Sequence, residues 1–416
     1  MPVVARVLRL DEPLPKRWRS AAIRRGTFHA SAGQVLLGLG HPMRLALPAL
    51  STGHTAESVA AVLDGISVID GSLDGLWSPR VHAALPFDPD LDGVGFLSPI
   101  QVSAGGGSLV VTLLGPDDAA LKDLEDQLHS ITEVDPPTVL PTLVTLDQIP
   151  SSDGYEAMVR LALAELESGV LDKTVLSRSV SISADADLDP VAVIDRMLER
   201  EPTCTLFSLP IDEGRFVGAS PEMLIGRRGR SVRSHPLAGT IARTEDDLTG
   251  LVQSGKNIEE HRLVVDDIAS RLGELVEDLD VPDAPEVVTL RAVRHLGTEI
   301  SATLPTDGAT ALELLAAVHP TPAIGGVPRA RALGTIARLE AGPRGLFGGA
   351  VGWSDAKGDG DWVLGIRGAL LSGSTAIVRA GAGIVRGSQP ADEARETRIK
   401  LLSILDALAP GCASLL

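Results

Sequence analysis

Aromatic side chains are scarce in this chain: one tyrosine, four tryptophans and six phenylalanines make up 3% of its 416 residues. Proteins that hold single-stranded nucleic acid rely on stacking against such rings, so the shortage speaks against that class and leaves Ala, Val, Leu and Ile to fill the core. Positive charge is short as well. The 37 Lys and Arg against 55 Asp and Glu give a formal net charge of −18, which disfavours a nucleic-acid backbone or an anionic membrane surface as partner. A small anionic substrate is still compatible with this balance, provided local cations or a metal meet it. Cysteine is nearly absent. Cys204 and Cys412 support neither a disulfide framework nor a cysteine-rich zinc site, and are expected to be structural residues in a reducing compartment. No segment offers the ~20 uninterrupted apolar residues of a spanning helix. The opening MPVVARVLRLDEPLPKRW mixes charge with proline, so the expected location is cytoplasmic with no membrane partner.

A composition of 44% hydrophobic and 22% charged residues is ordinary for a globular protein with a sizeable core. Short apolar runs in the first 150 residues, such as QVLLGLG, MRLALPAL and SLVVTLLG, read as strands among glycine and proline punctuation. The proline-rich passage VDPPTVLPTLVTL from Val134 looks like a connection and a soft boundary. Beyond it, SSDGYEAMVRLALAELESG has a capped start, helical periodicity and a glycine stop. KTVLSRSVSISA alternates like a strand, and a helix around Pro190 to Arg200 leads into the strand-like runs TLFSLP, RFVGAS and EMLIGRR. The pattern predicts a long amphipathic helix from Asn257 to Leu279, with Ile258, His261, Leu263, Val264, Ile268, Leu272 and Leu275 on its apolar side. Helices near Leu312 to Val318 and Ala330 to Leu339 precede the glycine-rich strands GLFGGAVGWS, WVLGIRGALL and TAIVRAGAGIV, and a last helix spans about Ala391 to Leu408. Strands in hairpin-like succession with inserted helices indicate an α+β or mixed α/β fold rather than a βαβ repeat. No apolar heptad long enough for an obligate coiled coil is present, and the expected state is a monomer.

Several residues could carry chemistry. Glu259 and Glu260 lie near the start of the long helix, and Glu393 and Glu396, three apart on the last helix, share a face. Carboxylates with few nitrogen or sulfur neighbours suit a hard ion such as magnesium, although helix surfaces carry such pairs routinely. Arg367 in WVLGIRGALL, read as a strand-borne arginine, offers a fork for a carboxylate, and the glycines of AGAGIV let a ligand approach the backbone. Close strand packing explains those glycines equally well. Lys173 opens a strand and Glu222 sits between two. A lysine held neutral can act as a base and a buried carboxylic acid can donate a proton, yet spacing alone selects neither residue.

Together these segments resemble the chorismate-utilising enzymes: isochorismate, salicylate, anthranilate and aminodeoxychorismate synthases. The resemblance runs from about Ser152 to Leu408 and is carried by KTVLSR at 173–178, GASPEML at 218–224, HPLAGTIAR at 235–243, KNIEEH at 256–261, RHLGT at 294–298, HPTPAIGGVP at 319–328, LFGGAVGW at 346–353, GIRGA at 365–369, AGAGIV at 380–385 and DEARETRIK at 392–400. It implies one large unit over residues 1–416, with large antiparallel sheets inside and helices outside, in which 1–150 form a divergent β-rich part and 151–410 the catalytic part. It also implies chorismate as substrate and Mg2+ as cofactor. The ring carboxylate would reach magnesium held by Glu260 and Glu396, with Glu393 close by. The enolpyruvyl carboxylate would meet Arg367 and the backbone at Gly383, while Gly239, Thr240, His295 and Ala323 line the substrate.

Within that family, members that add ammonia typically carry glutamine where this chain has Lys173, so the resemblance points to water as nucleophile, and HPTPA at 319–323 is similar to the isochorismate synthases. The implied roles are Lys173 as base toward water at ring C2 and Glu222 as acid toward the hydroxyl leaving C4. Asn257 is a departure, since some relatives place an acidic residue three before the metal-binding glutamate.

Overall fold

The computed structural model describes residues 3–31, 33–70, 78–132, 141–243 and 248–409. Cys412 and the first part of the proline-rich passage, up to residue 140, lie outside them. The rest of that passage is a strand, Leu143–Ile149, because it pairs antiparallel with Lys173–Ala184.

Two large sheets dominate. A thirteen-stranded sheet begins at Leu143–Ile149 and continues through Lys173–Ala184, Thr375–Val385, Gly368–Ser372, Gly214–Ser220 and Thr205–Ile211 into N-terminal strands. A nine-stranded sheet places Met223–Arg228, Gly360–Leu364 and Ala350–Asp355 side by side and also continues into N-terminal strands. Among the described residues the pairing is antiparallel except where Val3–Leu10 meets Ile66–Asp70. The soft boundary divides neither sheet: Thr205–Ile211 pairs with Thr27–Ser31, and Ala350–Asp355 pairs with Arg80–Leu85 along its whole length.

The helices cover the faces. Ser152–Glu167 starts at Ser151, whose side chain accepts from Gly154 N, and it buries Tyr155, Val159, Ala162 and Leu166. Tyr155 Oη donates to Leu176 O at 2.9 Å, which ties the helix to the Lys173 strand. Val264 and Ile268 of the long helix, Leu315 of Ala311–Val318 and Ile384 join the same apolar cluster. At roughly 1.5–3 kcal/mol for each large side chain removed from water, this packing fixes the strands that carry the site. The C-terminal helix Pro390–Leu408 opens with proline in its first turn followed by Asp392 and Glu393, a favourable start against the helix dipole.

The long helix is shorter than its apolar pattern predicts. It spans Gly255–Gly273, and the chain then extends so that Asp278–Asp280 pairs with Ile300–Thr303. Its inner face is the expected one at His261, Val264, Ile268 and Leu272, but Ile258 is 41% exposed and the polar Asn257 and Glu260 are buried with them. A polar first turn facing inward, continuous with an apolar stripe, is a feature that stability alone does not call for.

Candidate active site

Two of the places where the chain crosses from one large sheet to the other lie side by side. Residues 221–222 join Gly214–Ser220 to Met223–Arg228, and residues 365–367 join Gly360–Leu364 to Gly368–Ser372. The crossings are hydrogen-bonded side by side, Leu364 N to Glu222 O at 3.0 Å and Ala219 N to Arg367 O at 3.1 Å. Arg367 is therefore not strand-borne, as the run WVLGIRGALL suggested; it occupies the break between two strands. Its φ of 51° lies in the left-handed region, the one such non-glycine among the described residues, a conformation that persists only when the surroundings impose it.

Lys173 is locked at the start of its strand between Val385 on one side and Val327 on the other, and it is fully buried. Its Nζ lies 3.1 Å from Glu260 Oε1, without the alignment of a hydrogen bond. Burial pushes the Glu260 carboxyl up, but Lys173, Lys256 and Lys400 outweigh it and hold the group below its usual range. The neighbouring strand makes room for this pair at Gly383. A Cβ there would lie 2.0 Å from Glu260 Oε1 and 3.2 Å from Lys173 Cε. Glu393, also buried, takes Lys256 Nζ as its partner, while Glu396 Oε1 receives Lys400 Nζ at 2.6 Å. Burial first, and then the charge of Glu396, push Glu393 up to about 7.

Glu222 is buried at the other crossing, with one carboxyl oxygen left without a partner. Burial raises it to about 8 even though Lys173 and the N–H of Leu237 oppose the shift. A carboxyl group in that position is protonated at neutral pH and has a proton to give.

Arg367 Nη2 donates to His295 Nε2 at 3.3 Å. Because a guanidinium only donates, Nε2 is the accepting nitrogen and the imidazole proton resides on Nδ1, 3.0 Å from Thr240 Oγ1. Burial and then the Arg367 charge hold His295 well below 6.5, so it stays neutral. Gly239 supports this group from behind. Its φ is +72°, and a Cβ there would meet Asn257 O at 2.9 Å.

These side chains surround a recess with about 650 Å³ of empty space, part of it open to solvent, lined among others by Glu222, Thr240, Glu260, His295, Ala323, Arg367, Gly383 and Glu396. Lys173 reaches the recess through Glu260. Gly239 and Glu393 stand behind the lining rather than in it, and Glu259 is exposed on the far side of the long helix. Sequence reasoning assigned no role to Lys256, Lys400 or Phe347, of which the last two line the recess. The lysines were findable: Lys400 follows Glu396 by four residues on one helix, and Lys256 precedes Glu260 by four on another.

The oxygen-only donors Glu260 and Glu396 suit magnesium. That ion takes one or two carboxylates and completes its shell with water and substrate, and the Glu396 charge that adds to burial in lifting Glu393 is what a divalent cation would offset. Among the described residues no three carboxylate, histidine or cysteine groups converge closely enough to form a complete ligand set by themselves.

A recess with a fixed guanidinium and a proton-bearing carboxyl facing a lysine-and-carboxylate cluster is equipped to bind and transform a small polyanionic acid, which places the protein among enzymes rather than scaffolds. The chain belongs to the chorismate-binding enzymes: its residues 105–409 match the family model described as "Chorismate binding enzyme". It is 38% identical over 271 residues to the isochorismate synthase EntC of Escherichia coli strain K12, covering 64% of this chain and 69% of that one. To the isochorismate synthase DhbC of Bacillus subtilis strain 168 it is 34% identical over 273 residues, 62% and 69% of the two chains. Its structure superposes on that of MenF, the menaquinone-specific isochorismate synthase from Escherichia coli, with a TM-score of 0.82 and 25% identity, over 98% of this chain and 94% of the other. The fold is therefore the mixed one expected, large antiparallel sheets enclosed by helices.

Proposed function

We infer that the chain is an isochorismate synthase that converts chorismate to isochorismate with magnesium as cofactor. The observation that carries this reading is the pair of buried atoms without hydrogen-bond partners, Lys173 Nζ and Glu222 Oε1. They supply a proton acceptor and a proton donor to one recess once Lys173 has given up the proton that pairs it with Glu260; as the ammonium it is the charge that acts most strongly on Glu222. In the proposed step Lys173, having lost its own proton and acting as the neutral amine, takes a proton from water as the water oxygen bonds to ring C2, the conjugated diene shifts by one position, and the C4–O bond breaks. Glu222 gives its proton to the departing hydroxide, so one water enters and one leaves. Arg367 orients the enolpyruvyl carboxylate, and neutral His295, with Thr240, keeps Arg367 pointed at it. Magnesium, when bound through Glu260 and Glu396, would fix the ring carboxylate and steady developing charge.

Lysine at position 173, rather than the glutamine typical of ammonia users, supports water as nucleophile. The names of the relatives support stopping at isochorismate, and the product would feed menaquinone or siderophore formation. A monomer acting in the cytoplasm completes the reading; among the described residues no helix is long and apolar enough to cross a membrane. Product identification from chorismate with and without Mg2+ tests the reading. Isochorismate without pyruvate is the expected result; salicylate plus pyruvate would make it a salicylate synthase, and anthranilate from ammonium salts would overturn the role of Lys173.

A further inference from the structure

Arg367 is a partly buried guanidinium, yet among the described residues no carboxylate lies within ion-pair distance of it. Its polar side-chain contacts are both neutral. Nη2 donates to His295 Nε2, and Nη1 donates to Ser403 Oγ at 3.3 Å. The serine is itself fixed, because its hydroxyl donates to Lys400 O at 2.8 Å, one turn back on the C-terminal helix. With its proton committed to the helix backbone, Ser403 presents only lone pairs to the arginine.

Behind Arg367, away from the recess, lies a second and smaller cavity lined by Glu201, Cys204 and Ser403 among others. Burial pushes the Cys204 thiol up to about 12, so it remains uncharged. Glu201 is thus the carboxyl group lining this rear cavity among the described residues; burial raises it, and the Arg291 N–H and the Arg367 charge oppose that shift in favour of the carboxylate. It acts on Arg367 across the gap without touching it, because its carboxylate is held by Arg291 N at 3.1 and 3.3 Å. A direct ion pair would occupy the fork that the substrate needs, whereas a carboxylate kept at a distance steadies the cation and leaves its front face free.

We propose that Ser403 and Glu201 are positioning residues that hold Arg367 from behind and set its grip on the substrate carboxylate. The proposal rests on the reading of Arg367 as the carboxylate fork of a chorismate-converting enzyme. Ser403 follows Glu396 on the C-terminal helix by about 10 Å of helix rise, so one rigid element carries both the ion end and the arginine end of the site.

Steady-state kinetics on chorismate with the full chain at saturating Mg2+ test it. Ser403→Ala is expected to raise KM about fivefold with kcat within about twofold, and Ser403→Thr, which keeps the hydroxyl, is expected to restore KM. An unchanged KM in Ser403→Ala, or a fall in kcat as large as the rise in KM, overturns the role of Ser403, the latter because it signals a displaced helix. Glu201→Gln keeps an acceptor for Arg291 and removes the charge; a raised KM supports the rear anchor, and an unchanged or lowered KM overturns it. If the wild-type chain itself fails to convert chorismate, the functional reading falls instead, so the two failures are distinguishable.

Discussion

Lys173 Nζ stands 3.1 Å from Glu260 Oε1, and both residues are buried, so the proposed base is paired with a proposed ligand of the metal. This couples the two halves of the chemistry. Occupation of the ion site draws on the same carboxylate that holds the lysine.

Replacing Lys173 by alanine should therefore cost turnover much more than binding. We expect kcat to fall by roughly 10³-fold, within the range for a lost general base, while chorismate still binds as judged by calorimetry. Near-normal kcat in Lys173→Ala would remove the residue from the mechanism.

Glu222 makes a prediction on pH and stability together. Its folded-state pKa of about 8 lies above the 4.5 of an unperturbed glutamate, so folding takes up a proton between those values. The stability associated with the protonated group is fully present below pH 4.5 and is lost as pH rises through about 8. Glu222→Gln should thus be inactive yet more stable at about pH 7.5, by on the order of 1–3 kcal/mol in denaturant unfolding. In the wild type, kcat/KM should decline on the alkaline side of about pH 8. An active, less stable glutamine variant would contradict both statements.

Removal of Glu396 should raise the Mg2+ concentration needed for half-maximal activity by roughly tenfold or more, and chelation should silence the wild-type enzyme. Titration of activity with MgCl2 in the Glu396→Ala variant measures this. An unaltered titration curve would place the ion elsewhere.

Gly383→Ala tests the close approach of the strand. A methyl group 2.0 Å from Glu260 Oε1 must displace that carboxylate, so activity and Mg2+ affinity should both fall while circular dichroism stays that of the native fold. Full activity would mean that Glu260 moves freely in solution.

Local signals carried most of the secondary structure, since capped helices such as Ser152–Glu167 and alternating strands such as Lys173–Ala184 are governed by neighbours in sequence. The end of the long helix was missed because Leu275 and Leu279 continue its apolar pattern after Gly273, and pairing with Ile300–Thr303 decides the matter. Arg367 was misplaced for a related reason: nothing local in WVLGIRGALL says that its two ends join different sheets. The residues proposed for the site were named through the family resemblance and not through spacing. Ser403 and Glu201 carry no motif at all, and only the folded chain brings them behind Arg367.

The continuation of both sheets into a block of N-terminal strands limits how this protein can be cut or recombined. A fragment beginning near residue 151 would leave Thr205–Ile211 and Ala350–Asp355 as bare sheet edges, an invitation to aggregate. Chimaeras with other members of the family should exchange surface loops and keep the two halves of the chain from a single parent.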